Sequence, residues 1–182
     1  MTMSIFDYGT QDIELVPLLQ EHAAMIHVYA SKPAVKKYIG WPLMHSPTET
    51  AEYVRTLVAR HDAGSHIYAS VVEKHSGRVV GTGILFGFDK AANHGELGYV
   101  FDDTVWGKGY GTQLVRVMSE FAFAELKLRK LFARVVSVNV GSARVLERNG
   151  FTLEAELKDY YYMDDTFLSC RYYSRYAPNA DR

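Results

Sequence analysis

A single mixed α/β domain is what the sequence predicts, and three observations carry that expectation. Segments rich in β-branched and aromatic residues alternate with segments whose apolar residues recur at helical spacing, in the order β-α-α-β-β-β-α-β-α-β-β. Short turn-forming stretches join the middle strands, which makes them antiparallel neighbours, whereas a helix lies between later ones, which makes a βαβ crossover. The length of 182 residues suits one domain with a sizeable core, and no linker or internal repeat divides it. The expected architecture over residues 1–182 is a twisted mixed sheet flanked by helices.

Each element has its own signal. Asp12-Ile13-Glu14-Leu15-Val16 alternates polar and apolar residues and runs into Pro17, as a short edge strand does. Glu21 to Ala30 has helical composition and is broken by Ser31-Lys32-Pro33. A shorter helix is expected through Tyr38, ended by Gly40 and Pro42. Ser46-Pro47-Thr48-Glu49 opens the next helix, with proline in the first turn and an acid close behind. Ala51, Val54, Leu57 and Val58 keep its spacing up to the stop at Gly64.

The period then changes. His66 to Glu73 and Arg78 to Phe88 read as strands joined by the hairpin-like Lys74-His75-Ser76-Gly77, and Gly95 to Phe101 is a third. A glycine-rich stretch leads into a helix from Thr112 to Leu126, with Leu114, Met118, Phe121 and Leu126 on one face. Leu131 to Val138 is the next strand, and Ser142 to Arg148 a short helix stopped by Asn149-Gly150. Two closing strands, near Phe151 to Tyr161 and Thr166 to Arg175, meet at Asp164-Asp165. Along Tyr160 to Tyr162, simple alternation would turn Tyr161 away from its neighbours and leave the run mainly structural.

Composition excludes several classes of protein. Aromatic residues make up 13% of the chain and the net charge is −1, so the chain is not a disordered one. Twenty basic against 21 acidic residues give no overall field to draw it onto nucleic acid. Cys170 is the one cysteine, read as a small buried side chain, and with no partner it makes neither an intramolecular disulfide nor a thiolate zinc site. The seven histidines show no metal-ligand spacing, so no metal is expected. No apolar run is long enough to span a bilayer and the N-terminus has no secretory pattern, so the expected setting is the cytoplasm, away from membranes.

The chemistry concentrates in residues 96–112, a strand, a short acidic turn, a glycine-rich loop and a helix. Gly107, Gly109 and Gly111 let the backbone approach a ligand closely and adopt angles that other residues avoid. Placed before a helix, such a loop turns several unpaired N–H groups toward one point, where a pyrophosphate fits. The helix dipole adds only about 0.3–1 kcal/mol, so the amides carry most of the attraction. The loop lacks the G-x-x-x-x-G-K-[ST] spacing of a nucleotide-hydrolysing P-loop, and G-K-G-Y-G-T is not the G-x-G-x-x-G of a dinucleotide fold. The second cluster, Gly81 to Gly87, lies within a strand and reads as bulges or close backbone approach.

Trp106-Gly-Lys-Gly-Tyr-Gly-Thr112 resembles the pyrophosphate loop of the GCN5-related N-acetyltransferase (GNAT) superfamily, whose pattern is [QR]-x-x-G-x-[GA]. Asn139-Val-Gly-Ser-Ala-Arg-Val-Leu-Glu-Arg-Asn-Gly-Phe151 resembles its second signature, N-x-x-[SA] followed by a helix and G-F. The branch typified by ribosomal-protein N-acetyltransferases is the most similar, since W-G-K-G-Y and S-x-N-x-x-S recur there. Residues 96–151 carry these motifs, and the implied acetyl-CoA-binding core spans about 95–151.

Residue by residue, the resemblance implies a GNAT fold and a set of roles. The backbone of Val100 and Phe101 would hold the pantetheine arm of acetyl-CoA. The amides of Gly107, Lys108, Gly109, Tyr110, Gly111 and Thr112 would hold its pyrophosphate, with the Thr112 hydroxyl as a further donor. Asn139 would contact the pantetheine or thioester region, and a backbone N–H near Phe101 would stabilise the oxyanion. Glu96 would be the general base, acting through water. Trp106 replaces the usual Gln or Arg and removes one side-chain donor. Leu146 stands where many relatives have a tyrosine that protonates the departing thiolate. Ser142, a tyrosine of the 160–162 run, or solvent is left for that task.

Plainer roles stand beside these. Glu96 would serve as a partner for a cation, Asn139 as a helix N-cap, and Lys108, Arg144 and Arg148 as solvated surface charges. Tyr38, Trp41 and His45 lie in a segment that in this superfamily covers the acceptor site, or else they pack the core. The implied reaction is acetyl transfer from acetyl-CoA to a primary amine by direct attack. A protein N-terminal α-amine is favoured, with small-molecule amines and a non-catalytic acyl-CoA-binding domain as alternatives. A homodimer is left open.

Overall fold

Seven strands join in one sheet in the order β1-β2-β3-β4-β5-β7-β6. The computed structural model describes residues 3–178; residues 1–2 and 179–182 of the expected 1–182 domain lie outside the described residues. The strands are β1 (Ile13–Pro17), β2 (Ile67–Glu73), β3 (Arg78–Asp89), β4 (His94–Phe101), β5 (Lys130–Val136), β6 (Thr152–Met163) and β7 (Thr166–Tyr176). The helices are α1 (Ala23–Ala30), α2 (Pro33–Lys36), α3 (Pro47–Asp62), α4 (Tyr110–Ala124) and α5 (Val140–Arg148). Among the described residues no helix is long and apolar enough to cross a membrane.

The sheet is antiparallel except where β4 meets β5, and α4 supplies the crossover between those two. Alternation along the strands divides the apolar residues into two cores. Leu97, Phe101, Leu131, Ala133 and Val135 face α4 and α5 with Leu114, Met118 and Leu146. Val72, Val79 and Val100 face α1 and α3 with Ile26, Tyr29, Val54 and Leu57. Within the first glycine cluster, a Cβ at Gly83 would come within 2.8 Å of Met118 Sδ, so glycine there lets α4 lie close on the sheet.

Most boundaries fall where sequence places them, and the departures have local causes. Helix α4 begins at Tyr110, two residues before the expected Thr112, because Gly109 takes the left-handed conformation (φ 83°) and caps it. The β6–β7 turn does form at Asp164-Asp165, both with positive φ (48° and 57°), the geometry a two-residue hairpin loop requires. The tyrosine run departs from simple alternation. The β6–β7 register shifts between Leu157 and Tyr161, and Asp159 sits at φ 51°. This irregularity turns both Tyr160 and Tyr161 toward the same face, where their rings meet edge-on at 4.9 Å.

Candidate active site

Strands β4 and β5 stay paired for only three residue pairs, His94–Lys130, Gly95–Leu131 and Glu96–Phe132. Beyond them β5 continues along β7 and β4 along β3, so the two strands part and leave an opening between them. The alternation of an antiparallel ladder decides which backbone groups face it. Asp102 N–H donates to the Val80 carbonyl at 2.8 Å, which makes Thr82–Val100 the next bonded pair. The backbone groups of Val100 are therefore turned to β3, and those of Tyr99 and Phe101 to the opening. The Phe101 carbonyl already accepts from the Trp106 indole N–H at 3.1 Å. Of the two residues assigned to the pantetheine arm, Phe101 presents its N–H to the opening and Val100 does not, while Tyr99 joins it.

The glycine loop follows at once. Asp102 is 2% exposed and caps the turn by accepting from Thr104 N–H at 3.1 Å, and Lys32 Nζ lies 2.7 Å from the same carboxylate. Gly107 (φ 81°) and Gly109 (φ 83°) occupy the left-handed region, and a Cβ at either would meet no atom within 4 Å. Space is thus open above the loop. The N–H groups of Gly109, Tyr110, Gly111 and Thr112 donate to no acceptor among the described residues. Gly111 itself belongs to the first turn of α4, where a Cβ would come within 3.4 Å of Val145 of α5.

Two side chains of this loop turn to a carboxylate that sequence gave no reason to single out. The Tyr110 hydroxyl donates to Glu73 Oε1 at 2.8 Å, and Lys108 Nζ sits 3.2 Å from the same oxygen. Ser76 donates to the other oxygen at 2.6 Å. The Ser76 hydroxyl, the Tyr110 hydroxyl and Lys108 together hold the Glu73 carboxyl down at about 2. Glu73 thus ties the loop to the end of β2. The Lys108 side chain is half engaged there rather than free over the loop.

At the other rim, Asn139 is the N-cap of α5, its Oδ1 accepting from Ser142 N–H at 3.1 Å. The Ser142 hydroxyl lies 2.8 Å from the Tyr99 hydroxyl across the opening. Burial pushes the Tyr99 phenol up to about 12. Asn149 bonds the carbonyls of Thr112 (3.2 Å) and Val145 (2.9 Å), fixing the start of α4 to α5. Leu146 is fully buried in the core.

On the opposite face of the sheet Glu96, 7% exposed, accepts from Arg134 Nε at 2.8 Å and Nη2 at 2.9 Å. Arg134 also donates to the Tyr160 hydroxyl at 2.8 Å. The hydrogen bonds from Arg134 to Glu96 raise the guanidinium further above its ordinary value. Tyr161 reaches Cys170 Sγ at 3.6 Å, and Cys170 is buried. The cation-partner role of Glu96 is therefore realised in the geometry. The partner two positions past Phe132 follows only from the parallel register, which sequence does not display.

A groove of about 720 Å³ runs between the α2 segment and the β6–β7 turn, lined by Lys36, Lys37, Pro42, Leu43, His45 and Asp164. A smaller hollow of about 180 Å³ shares Lys37 and Asp164 with it and extends past Tyr38 to Val138, next to Asn139. The hollow's far end is at Val138, the residue before the α5 N-cap Asn139. Tyr38 and His45 line this path, whereas Trp41 is in the core, edge-on to Tyr53 at 5.2 Å.

The chain that carries this opening matches known proteins. The family model of the acetyltransferase (GNAT) domain matches residues 12–152, and the chain belongs to this family of N-acetyltransferases. The "Uncharacterized N-acetyltransferase p20" of Bacillus licheniformis is 25% identical over 151 residues, covering 83% of this chain and 85% of that protein. The ribosomal-protein-serine acetyltransferase of Escherichia coli is 23% identical over 170 residues, covering 91% and 93%. A ribosomal L7/L12 alpha-N-protein acetyltransferase solved in complex with coenzyme A shares the fold with a TM-score of 0.84 at 20% identity, covering 94% of this chain and 97% of that one.

Proposed function

We propose that the chain transfers an acetyl group from acetyl-CoA to a primary amine, with a protein N-terminal α-amine as the favoured acceptor. The observation that carries this reading is the β4–β5 opening with four unpaired amides at the start of α4. The donor set fits a pyrophosphate: the amides of Gly109 to Thr112 would hold it, with the Thr112 hydroxyl beside them. The backbone groups of Tyr99 would hold a pantetheine amide. Acetyl-CoA, when bound, supplies an activated acyl group and a good leaving group.

The chain's own residues would do the rest. Phe101 N–H would stabilise the developing oxyanion. Glu96 would take up, through water, the proton that the acceptor nitrogen gives up. Both its oxygens already accept from Arg134, whose charge offsets its own, so it draws an acceptor ammonium less strongly than a free carboxylate would. An acceptor with some free base at neutral pH suits that arrangement. An α-amine, with a pKa of roughly 7.7–8.0, meets the condition far better than a lysine side chain at about 10.4. The Ser142 hydroxyl, held beside Tyr99 at the opening, would face the departing sulfur. A small-molecule amine is the second reading, favoured by the 180 Å³ size of the inner hollow. The reading places the protein in the cytoplasm, where acetyl-CoA is at hand and Cys170 stays reduced.

Thermal shift followed by an acceptor screen tests both parts. Acetyl-CoA is expected to raise the melting temperature, and ATP and NAD are not. Thiol release should then appear with peptides carrying free N-termini. Stabilisation by ATP or NAD but not by acetyl-CoA would overturn the cofactor assignment. Turnover of polyamines or amino acids, with none of free N-terminal peptides, would move the acceptor to small molecules. Binding without turnover of any amine would leave only an acyl-CoA-binding function.

A further inference from the structure

We infer that Tyr99 is a positioning residue that aims the Ser142 hydroxyl proton into the opening, an inference that rests on the acetyl-CoA reading above. The two residues stand on the two elements that flank the opening. Tyr99 lies on β4 beyond its last pairing with β5, and Ser142 lies in the first turn of the helix that follows β5. Their hydroxyls are 2.8 Å apart, and the phenol also reaches the Ser142 carbonyl at 3.3 Å. The Tyr99 ring lies on the side of Leu97 and Phe101, against the core that includes α4 and α5. It therefore bridges the opening on the side where the glycine loop presents its amides.

A serine hydroxyl carries one proton and rotates, so its direction is set by what its neighbours supply. Ser142 has two fixed neighbours: its amide is taken by Asn139, and its oxygen lies at the shorter of the two phenol contacts. Burial pushes the phenol up to about 12, so it keeps its proton through the neutral range and remains a donor. Either hydroxyl can donate across this contact; the phenol is the stronger acid of the two, and with its proton on Ser142 Oγ the serine proton is left for a group in the opening.

In the transfer, the acceptor nitrogen bonds to the acetyl carbon and the carbon–sulfur bond breaks, its electron pair going to sulfur. The proton lost by the nitrogen ends on the sulfur. A serine hydroxyl is too weak an acid to surrender its proton to a thiolate outright. Ser142 instead donates a hydrogen bond to the sulfur while the charge resides there, and Tyr99 holds it in that direction. Neither residue changes its protonation state over the cycle. Hydrogen bonds to charged groups are worth more than neutral ones, and those made only as charge develops act on kcat.

The test reads the thiol of bound coenzyme A through the ultraviolet absorbance of its thiolate as pH is raised, in the unaltered chain, Tyr99→Phe, Ser142→Ala and the double variant. Bound thiol is expected to titrate about one pH unit below free coenzyme A in the unaltered chain. Each single variant should return most of that shift, and the double variant little more. With acetyl-CoA and an acceptor, Tyr99→Phe should lower kcat about tenfold and leave KM for acetyl-CoA within about twofold. An unchanged titration in Tyr99→Phe overturns the role of Tyr99, as does a loss confined to coenzyme A affinity. An unchanged titration in Ser142→Ala, which leaves the ring in place, overturns the pair as a whole. Failure of the unaltered chain to bind coenzyme A overturns the acetyl-CoA reading instead, and this inference with it.

Discussion

Two regions of the molecule are built by different means. The end formed by β4, the glycine loop and the starts of α4 and α5 is made of backbone: splayed strands, two left-handed glycines and amides without acceptors. The groove between α2 and the β6–β7 turn, and the face of the sheet that carries Glu96, are made of side chains that reach across from distant segments, such as Lys36 to Asp164 and Arg134 to Glu96 and Tyr160. A backbone site binds groups shared by every molecule of one cofactor class and tolerates substitution of its side chains. A side-chain site changes its ligand when one residue changes. This difference predicts that stability and cofactor affinity will answer to one set of substitutions, and acceptor use to another.

Arg134 should give the largest effect, because Glu96 is buried and depends on it. Arg134→Met leaves that carboxylate without a cation. The expected loss is about 3 kcal/mol, the lower end of the range for a broken buried pair, since the guanidinium is 35% exposed. Glu96→Gln should cost less, and the double variant should recover much of the loss. Urea denaturation measures all three. If Arg134→Met unfolds at the same urea concentration as the unaltered chain, the pair holds nothing together, and Glu96 is freer to act as a base than its geometry implies.

Glu73 makes the comparison sharper on the cofactor side, where a side chain anchors a backbone loop. Its carboxyl is held at about 2 against an ordinary 4.5, so its folded-state value lies below its unfolded one. The stability this contributes is fully present above about pH 4.5 and is lost as pH falls toward 2. Glu73→Gln should therefore flatten the acid limb of the stability curve between those values. It should also weaken acetyl-CoA binding modestly at neutral pH, because Tyr110 and Lys108 lose their common partner. An acid limb identical to that of the unaltered chain would remove Glu73 from its anchoring role.

The backbone end was far more legible in sequence than the side-chain end. Periodicity placed the strands and helices because burial on one face repeats along the chain, and the glycine loop showed itself because left-handed positions before a helix favour one residue type. Sequence places the helix start at Thr112, yet Gly111 belongs to the helix and Gly109 caps it. Tyr99, Arg134 and Glu73 could not be found this way, since each acts through a partner 35 or more positions distant. The parallel register of β4 and β5 was needed to bring Arg134 to Glu96. The contact of Tyr160 with Arg134 is hidden from sequence because a register shift beside left-handed Asp159 breaks the alternation of β6.

Lys36 should show the smallest effect on stability and the cleanest one on the acceptor. Its ammonium meets Asp164 at 2.5 Å across the groove, but the Asp164 side chain is 68% exposed. An ion pair so open to water is worth about 0.2–1 kcal/mol, so Lys36→Ala should barely move the melting temperature. The same pair links the two walls of the groove whose inner hollow reaches Val138, and an acceptor entering there has to pass it or displace it. Steady-state kinetics should accordingly show a change in KM for the acceptor of up to about fivefold, the equivalent of that energy. KM for acetyl-CoA should stay constant, because the amides that would hold its pyrophosphate lie at the far end of the opening. A variant in which both constants move together would mean that the two ends are not independent. Equal constants in variant and unaltered chain would mean that acceptors reach Ser142 by another path.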